Sequence, residues 1–318
     1  MSRMMTTAAT AACLMFLSGP VQEVRAGFTQ TYLSLGDSIA FGETVFSGDP
    51  SLGAYSDPSY GDRSYVRLFA DYLASRDGGV RPGVVNLAID GETSASFASG
   101  VGRVPPAAGF TDASLAGLNL NYAGATPPTQ SSLLGSTIAS ESALGHIISN
   151  VSISLGSNDL FALALTDPNA VADLPAALDV FQANYRTLLT RLRSDLPAAN
   201  IYLVGTYNPF TAAPGSPFAP FAGYAIPLLN RRVAVVASEF DAFYVPTYDT
   251  PLTTDAANFT LINAGGNVHP AFDKGYGVIA ARMEAVPEPS SIAMLAVGLG
   301  GPVGLGYIRA RCGRARIA

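Results

Sequence analysis

Short apolar runs alternate with longer amphipathic ones through the middle of this chain, and that alternation constrains its architecture more than any other feature. Strand candidates fall at residues 31–35, 84–87, 151–155, 201–204 and 243–245, and helical candidates at 64–76, 179–196, 228–240 and 274–283. In 64–76, Tyr65, Leu68, Phe69, Tyr72 and Leu73 share one helical face; in 179–196, Phe181, Tyr185, Leu188, Leu189, Leu192 and Leu196 do the same. Strands separated by helices run parallel and need cover on both faces. The pattern therefore predicts an α/β fold, a three-layer α/β/α sandwich around a mainly parallel five-stranded sheet. Ligands of such sheets bind beyond the carboxyl ends of the strands, so the residues that follow each strand are the ones to inspect. Two segments interrupt the alternation. Residues 97–144 are rich in Gly, Ala, Ser and Pro and long for a plain connection, as a lid or substrate loop would be. Residues 206–227 are proline-rich and carry Phe210, Phe218, Phe221 and Tyr224, which either line an apolar pocket or pack over the sheet edge.

Both ends read as processing signals. Residues 1–26 hold a basic start (Arg3), a short apolar stretch and Val24-Arg25-Ala26, the pattern of a secretory signal peptide cleaved after Ala26. From residue 286 the chain reads Val286-Pro287-Glu288-Pro289, then an apolar run at 292–308, then Arg309, Arg311, Arg314 and Arg316. The run is at the short limit for a membrane helix, and the arginines behind it would stay cytoplasmic, so it reads as a membrane stop. Pro-Glu-Pro, apolar helix and arginine cluster together resemble a PEP-CTERM sorting signal. That resemblance implies a Gram-negative host, handling by an exosortase-type enzyme after signal peptidase, transient membrane contact, and a destination in the cell envelope or extracellular matrix. The expected organisation is thus a signal peptide at 1–26, a core domain at 27–285 and a sorting signal at 286–318.

Cys13 and Cys312 both lie in these ends, so the core has no disulfide framework and no cysteine metal site. Whole-chain charge is −6, from 18 basic and 24 acidic residues. Six arginines but only two glutamates sit in the ends, so the core carries roughly −10, a surface that repels polyanions and argues against nucleic acid as a partner.

Four short stretches carry candidate chemistry. Gly36-Asp37-Ser38 follows the first strand, where a serine can present its hydroxyl and its own amide together; a helix cap explains it equally well. Asp90-Gly91-Glu92-Thr93 follows the second, and Gly91 permits close approach to a backbone amide. Gly156-Ser157-Asn158-Asp159 follows the third, with the Asn158 side-chain amide as a further donor and Asp159 as a helix cap. Asn267-Val268-His269-Pro270 supplies one of the core's two histidines; the other, His146, sits before the third strand and reads as structural. A serine hydroxyl needs a base to become a nucleophile, and His269 can be that base.

Taken together and in this order, the four stretches resemble the blocks of the SGNH hydrolases, the GDSL-like esterases and lipases, over nearly the whole core. The resemblance implies a flavodoxin-like sandwich and a secreted serine ester hydrolase, working without a cofactor or metal on an acylated polysaccharide or a lipid. It implies Ser38 as nucleophile and His269 as base, with the Ser38 amide, the Gly91 amide and the Asn158 side chain as oxyanion hole. One departure stands out. The family's usual aspartate, three residues before the histidine, is Gly266 here. Either a backbone carbonyl orients His269, or a carboxylate from elsewhere such as Asp255 or Asp273 does, or the site is crippled; misorienting such a base costs about 10⁴ in turnover. The last case would leave an envelope or matrix protein that binds carbohydrate with little turnover. Other chemistries lack their signatures: there is no Gly-x-Ser-x-Gly elbow, no His-Glu-x-x-His and no P-loop, and only scattered acids such as Asp57 and Asp62 suggest calcium.

Overall fold

The computed structural model describes residues 29–43, 64–105, 109–122, 129–211, 215–259, 268–271 and 274–286. Five strands, β1 (Gln30–Gly36), β2 (Gly83–Asn86), β3 (Ile147–Ser154), β4 (Asn200–Val204) and β5 (Phe243–Val245), form one sheet in the order β2-β1-β3-β4-β5. Every neighbouring pair is parallel, with Leu35 opposite Ile153, Val151 opposite Ile201 and Val204 opposite Val245. All carboxyl ends therefore open along one edge.

The helices are α1 (Ser38–Phe41), α2 (Ser64–Arg76), α3 (Ser96–Ser99), α4 (Asp112–Gly117), α5 (Gln130–Ala143), α6 (Ser157–Thr166), α7 (Ala170–Asp195), α8 (Ala219–Glu239), α9 (Pro251–Thr254) and α10 (Gly275–Glu284). Alternation along the strands sends successive side chains to opposite faces. Leu33, Leu35, Val151, Ile153, Ile201 and Leu203 meet α5, α7 and α8 in one apolar core. Tyr32, Tyr202, Val204 and Val245 meet α2 and α10 in the other. The second core is more aromatic and more polar: Phe69 packs edge-on to Tyr32 and Tyr202, at 5.5 and 5.0 Å between centroids, and the Tyr32 hydroxyl donates to Ser152 Oγ at 2.7 Å. The expected three-layer sandwich is the observed one, with the sheet parallel throughout.

Three expectations need correction. The 97–144 segment, read as a lid or substrate loop, is largely helical: α3 ends in it, α4 and α5 lie within it, and α5 is a covering helix of the sheet. Its composition hides the helices, but its caps start them. The Thr111 and Ser114 side chains form a reciprocal capping box on α4, and the Thr129 hydroxyl accepts from Ser132 N ahead of α5. Helix α8 begins at Ala219, not 228, and runs through Pro227; the carbonyl that loses its partner there belongs to Gly223, which is exposed to water. Helix α7 begins well before 179, carrying Pro175 near its start. Among the described residues no helix is long and apolar enough to cross a membrane; the 292–308 run and the leader lie outside them.

Candidate active site

Strand β1 delivers Ser38 through a crowded turn. Gly36 has φ +133°, and a Cβ there would stand 2.1 Å from Ser154 O, so only glycine lets β1 pass the end of β3 this closely. Asp37 then caps α1, accepting from Ile39 N at 3.1 Å, Ser157 Oγ at 2.8 Å and Ser154 Oγ at 3.2 Å. Burial pushes its carboxyl up to about 7, against the downward pull of these bonds. The capping explanation of Gly-Asp-Ser is thus true of Asp37 and leaves Ser38 as the first residue of the helix, facing the cavity.

His269 arrives from the far end of the chain. The Tyr207 hydroxyl donates to Val268 O at 2.7 Å, Pro270 bridges Phe259, and Ala271 N donates to Asn258 O at 2.6 Å, so the backbone around the imidazole is tied down on both sides. His269 Nε2 lies 2.9 Å from Ser38 Oγ, and both residues are buried. Burial pushes the imidazole down to about 3, so the ring is neutral. A neutral ring that accepts at Nε2 carries its proton on Nδ1.

Sequence reasoning looked for a carboxylate near this histidine at Asp255 or Asp273. Asp255 is occupied elsewhere, accepting from Ala257 N at 2.9 Å at the head of a 3-10 turn, while Asp273 and Gly266 lie outside the described residues, as do Asp57 and Asp62. The nearby carboxylates are instead Glu43 and Asp90. Glu43 Oε2 is 3.6 Å from His269 Nε2, and Glu43, Asp90 and His269 each place one atom within 4.8 Å of the others. Among the described residues this trio is the donor set that a metal ion could use. The local signal for Glu43 is the brevity of α1. Gly42, left-handed at φ +93°, reverses the chain, and Glu43 N bonds back to Ser38 O at 3.0 Å. The Tyr276 hydroxyl, donating to Glu43 O, fixes the residue from α10.

The two remaining stretches are bound to each other. Gly91 has φ +71°, and a Cβ would meet Val104 O at 2.2 Å; the Val104 amide donates to Gly91 O at 2.8 Å. Glu92, fully buried, accepts from Ser96 Oγ (2.5 Å), Gln130 Nε2 (2.9 Å) and Arg103 Nε (3.3 Å). Its carboxyl is still raised, because desolvation exceeds the lowering by Arg103 and the hydrogen bonds. Removing one partner of so buried an ion pair costs about 3–5 kcal/mol, so the pair fixes the turn that holds Gly91. Gln130 also brackets Gly36, donating to its carbonyl at 2.6 Å and accepting from its amide at 2.9 Å. Asn158 Nδ2 donates to Glu92 O at 3.1 Å. Asp159 does not cap a following helix as expected; it sits in the first turn of α6 and accepts from Ser94 N at 2.9 Å and Ser94 Oγ at 2.6 Å. The oxyanion candidates thus share one framework, of which Arg103 and Gln130 were not foreseen.

Ser38, His269, Asp90 and Asn158 line one end of a cavity of about 630 Å³; Gly91 lies between two lining residues, Asp90 and Val104, and is not itself in the wall. Phe210, Phe218 and Phe221 line the same cavity, whereas Tyr224 is exposed on α8. His146 stands apart, its Nδ1 3.0 Å from Glu141 Oε2 in a partly exposed pair, in keeping with its structural reading.

The sequence profile of the GDSL-like Lipase/Acylhydrolase family fits residues 34–276, from within β1 to the first turn of α10. The chain belongs to that family. It is accordingly a carboxylic ester hydrolase. Among solved structures, the lipase Lip_vut3 from a goat rumen metagenome shares the fold at TM-score 0.50 and 16% identity, over 81% of this chain and 97% of its own. Phospholipase A1 from Streptomyces albidoflavus NA297 does so at TM-score 0.50 and 17% identity, over 81% of this chain and 100% of its own. No curated protein sequence matches.

Proposed function

We propose that this family member hydrolyses its ester through an acyl-Ser38 intermediate. The observation that carries the proposal is the 2.9 Å contact between Ser38 Oγ and a buried, neutral His269. His269 Nε2 takes the Ser38 proton as Oγ bonds to the ester carbonyl carbon. The carbonyl oxygen becomes an oxyanion, met by the Ser38 and Gly91 amides and Asn158 Nδ2. The C–O bond to the alcohol then breaks, and the imidazolium returns its proton to the leaving oxygen. Water, deprotonated by His269 in turn, releases the acid. Glu43 faces the ring nitrogen that becomes charged, so its carboxylate favours the imidazolium at the moment it forms. On this reading the missing aspartate at position 266 is offset from the serine side of the ring.

The leader and tail support an exported enzyme, processed by signal peptidase and an exosortase-type enzyme, held briefly at the membrane by 292–308 and delivered to a Gram-negative envelope or matrix. The rival, a carbohydrate-binding protein with little turnover, rests on Gly266 alone. A fluorophosphonate probe separates the two. It is expected to label Ser38 in the wild-type chain, with Ser38→Ala neither labelled nor active on p-nitrophenyl esters. Wild-type turnover in Ser38→Ala would end the assignment.

A further inference from the structure

The cavity is polar where it meets the catalytic pair and mainly apolar beyond it, with Thr206, Tyr207 and Ser216 as further polar members of the lining. Beyond Asn158 its wall is made by α6, the 3-10 turn at Pro209–Thr211 and the start of α8. Phe161, Phe210 and Phe218 form a triangle there, with centroid separations of 5.9 Å (Phe161–Phe210), 6.1 Å (Phe161–Phe218) and 5.9 Å (Phe210–Phe218). The two pairs that involve Phe161 are edge-to-face, at 72° and 75° between planes. Ala222 and Ile226 close the buried part of the wall, and Leu165, 59% exposed, stands at the rim.

This wall distinguishes between the two substrate classes that the sequence left open. A sugar chain brings many hydroxyls, each of which needs a partner when taken out of water. The Phe, Leu, Ile and Ala side chains of this wall offer none, and the Ser216 hydroxyl among them already accepts from Phe218 N at 3.3 Å. An acetyl group would in turn leave nearly all of a cavity of about 630 Å³ as water against apolar surface. A flexible hydrocarbon chain matches the chemistry of the wall and can occupy its volume. Resting on the Ser38 mechanism above, we infer that this cavity is an acyl-chain site and that the enzyme's substrates are esters of medium to long unbranched fatty acids, not acetylated polysaccharides.

The test is the chain-length profile of the full-length protein on p-nitrophenyl esters from acetate to tetradecanoate. kcat/KM is expected to rise about three- to fourfold per added methylene through the early members and to level off once the cavity is filled. Ala222→Trp puts an indole into the buried part, and the decanoate-to-butanoate ratio of kcat/KM is expected to fall at least tenfold. Leu165→Asp, at an exposed position that leaves the interior packing alone, is expected to lower the ratio of the longest ester to decanoate. A wild-type profile that peaks at acetate overturns the assignment, as does a ratio unmoved in both variants. If that profile is seen while Ser38→Ala is inactive, only the acyl site falls. If Ser38→Ala keeps wild-type turnover, the serine mechanism falls and the acyl site with it.

Discussion

The two ends of the cavity are built on different principles. At Ser38, backbone turns are packed so closely that a single Cβ at Gly36 or Gly91 would collide with a carbonyl, and polar side chains bind neighbours from other elements: Asp37 to β3 and α6, Glu92 to α5, Asn158 to Glu92. At the phenylalanine end, side chains meet through ring edges and methyl groups, with no directional bond to break. Reaction at an ester carbonyl needs donors in place before charge develops, because a donor that must move first gives back its advantage. Holding a hydrocarbon chain needs only exclusion of water, which is roughly proportional to area. Substitutions at the polar end are therefore expected to act on kcat and at the apolar end on chain-length preference.

The largest contrast is expected from Asn158→Ala. Removing one oxyanion donor costs about 10²–10³ in kcat in enzymes of this kind. KM should change little, and all chain lengths should suffer alike. A loss confined to KM would take Asn158 out of the oxyanion hole. Next comes Glu43→Gln, which keeps the shape and replaces the carboxyl facing His269 Nε2 with an amide. We expect roughly a tenfold drop in kcat, about the 1.4 kcal/mol that one pKa unit on the imidazolium is worth. Undiminished kcat would return the search for an orienting group to residues near 266. Smaller again is Phe221→Ala in the apolar wall, where decanoate should lose about five- to tenfold in kcat/KM relative to butanoate as methylenes lose their contact. A uniform loss across all esters would show that the wall supports the catalytic end and is not a separate site.

This contrast also governs what can be read from the sequence. The strands, the parallel sheet and the four candidate-site stretches are legible because each is local: an apolar run, a glycine, a cap, a histidine beside a proline. The nearby acids are not. Glu43 looks like an ordinary surface residue until α1 proves to be a single turn, and Arg103 and Gln130 find Glu92 only when α3, α4 and α5 fold across the sheet edge. Asp255 is nearer His269 in sequence, yet it is taken up by its own turn. The helices of 97–144 were hidden by low-propensity residues whose helix comes from caps and packing, while the aromatic segment at 206–227 was legible as a set of rings but not as the wall of the catalytic cavity.

The smallest expected effect is also the most diagnostic of burial at the polar end. The base must be neutral to accept a proton, and kcat/KM reports the free enzyme's base. With an ordinary histidine near 6.5, the neutral fraction at pH 5 would be about 3%, a thirtyfold loss relative to pH 8. Burial holds His269 at about 3, so protonation of the base is expected to take less than twofold from kcat/KM between pH 8 and pH 5, and any inflection near 7 or 6 belongs to Asp37 or Asp159. The fold should survive that range. A lowered histidine loses stability as pH falls below 6.5, because the unfolded chain then binds the extra proton. Asp37 and Asp159, raised by burial to about 7 and about 6, act in the opposite sense: they hold protons that the unfolded chain releases above about 4, and so stabilise the fold as pH drops through those values. A roughly thirtyfold fall in kcat/KM with a midpoint near 6.5 that persists in Asp37→Asn and Asp159→Asn, at constant thermal stability, would mean that water reaches the ring in the free enzyme, and the rigid, dry polar end would then lose its contrast with the apolar one.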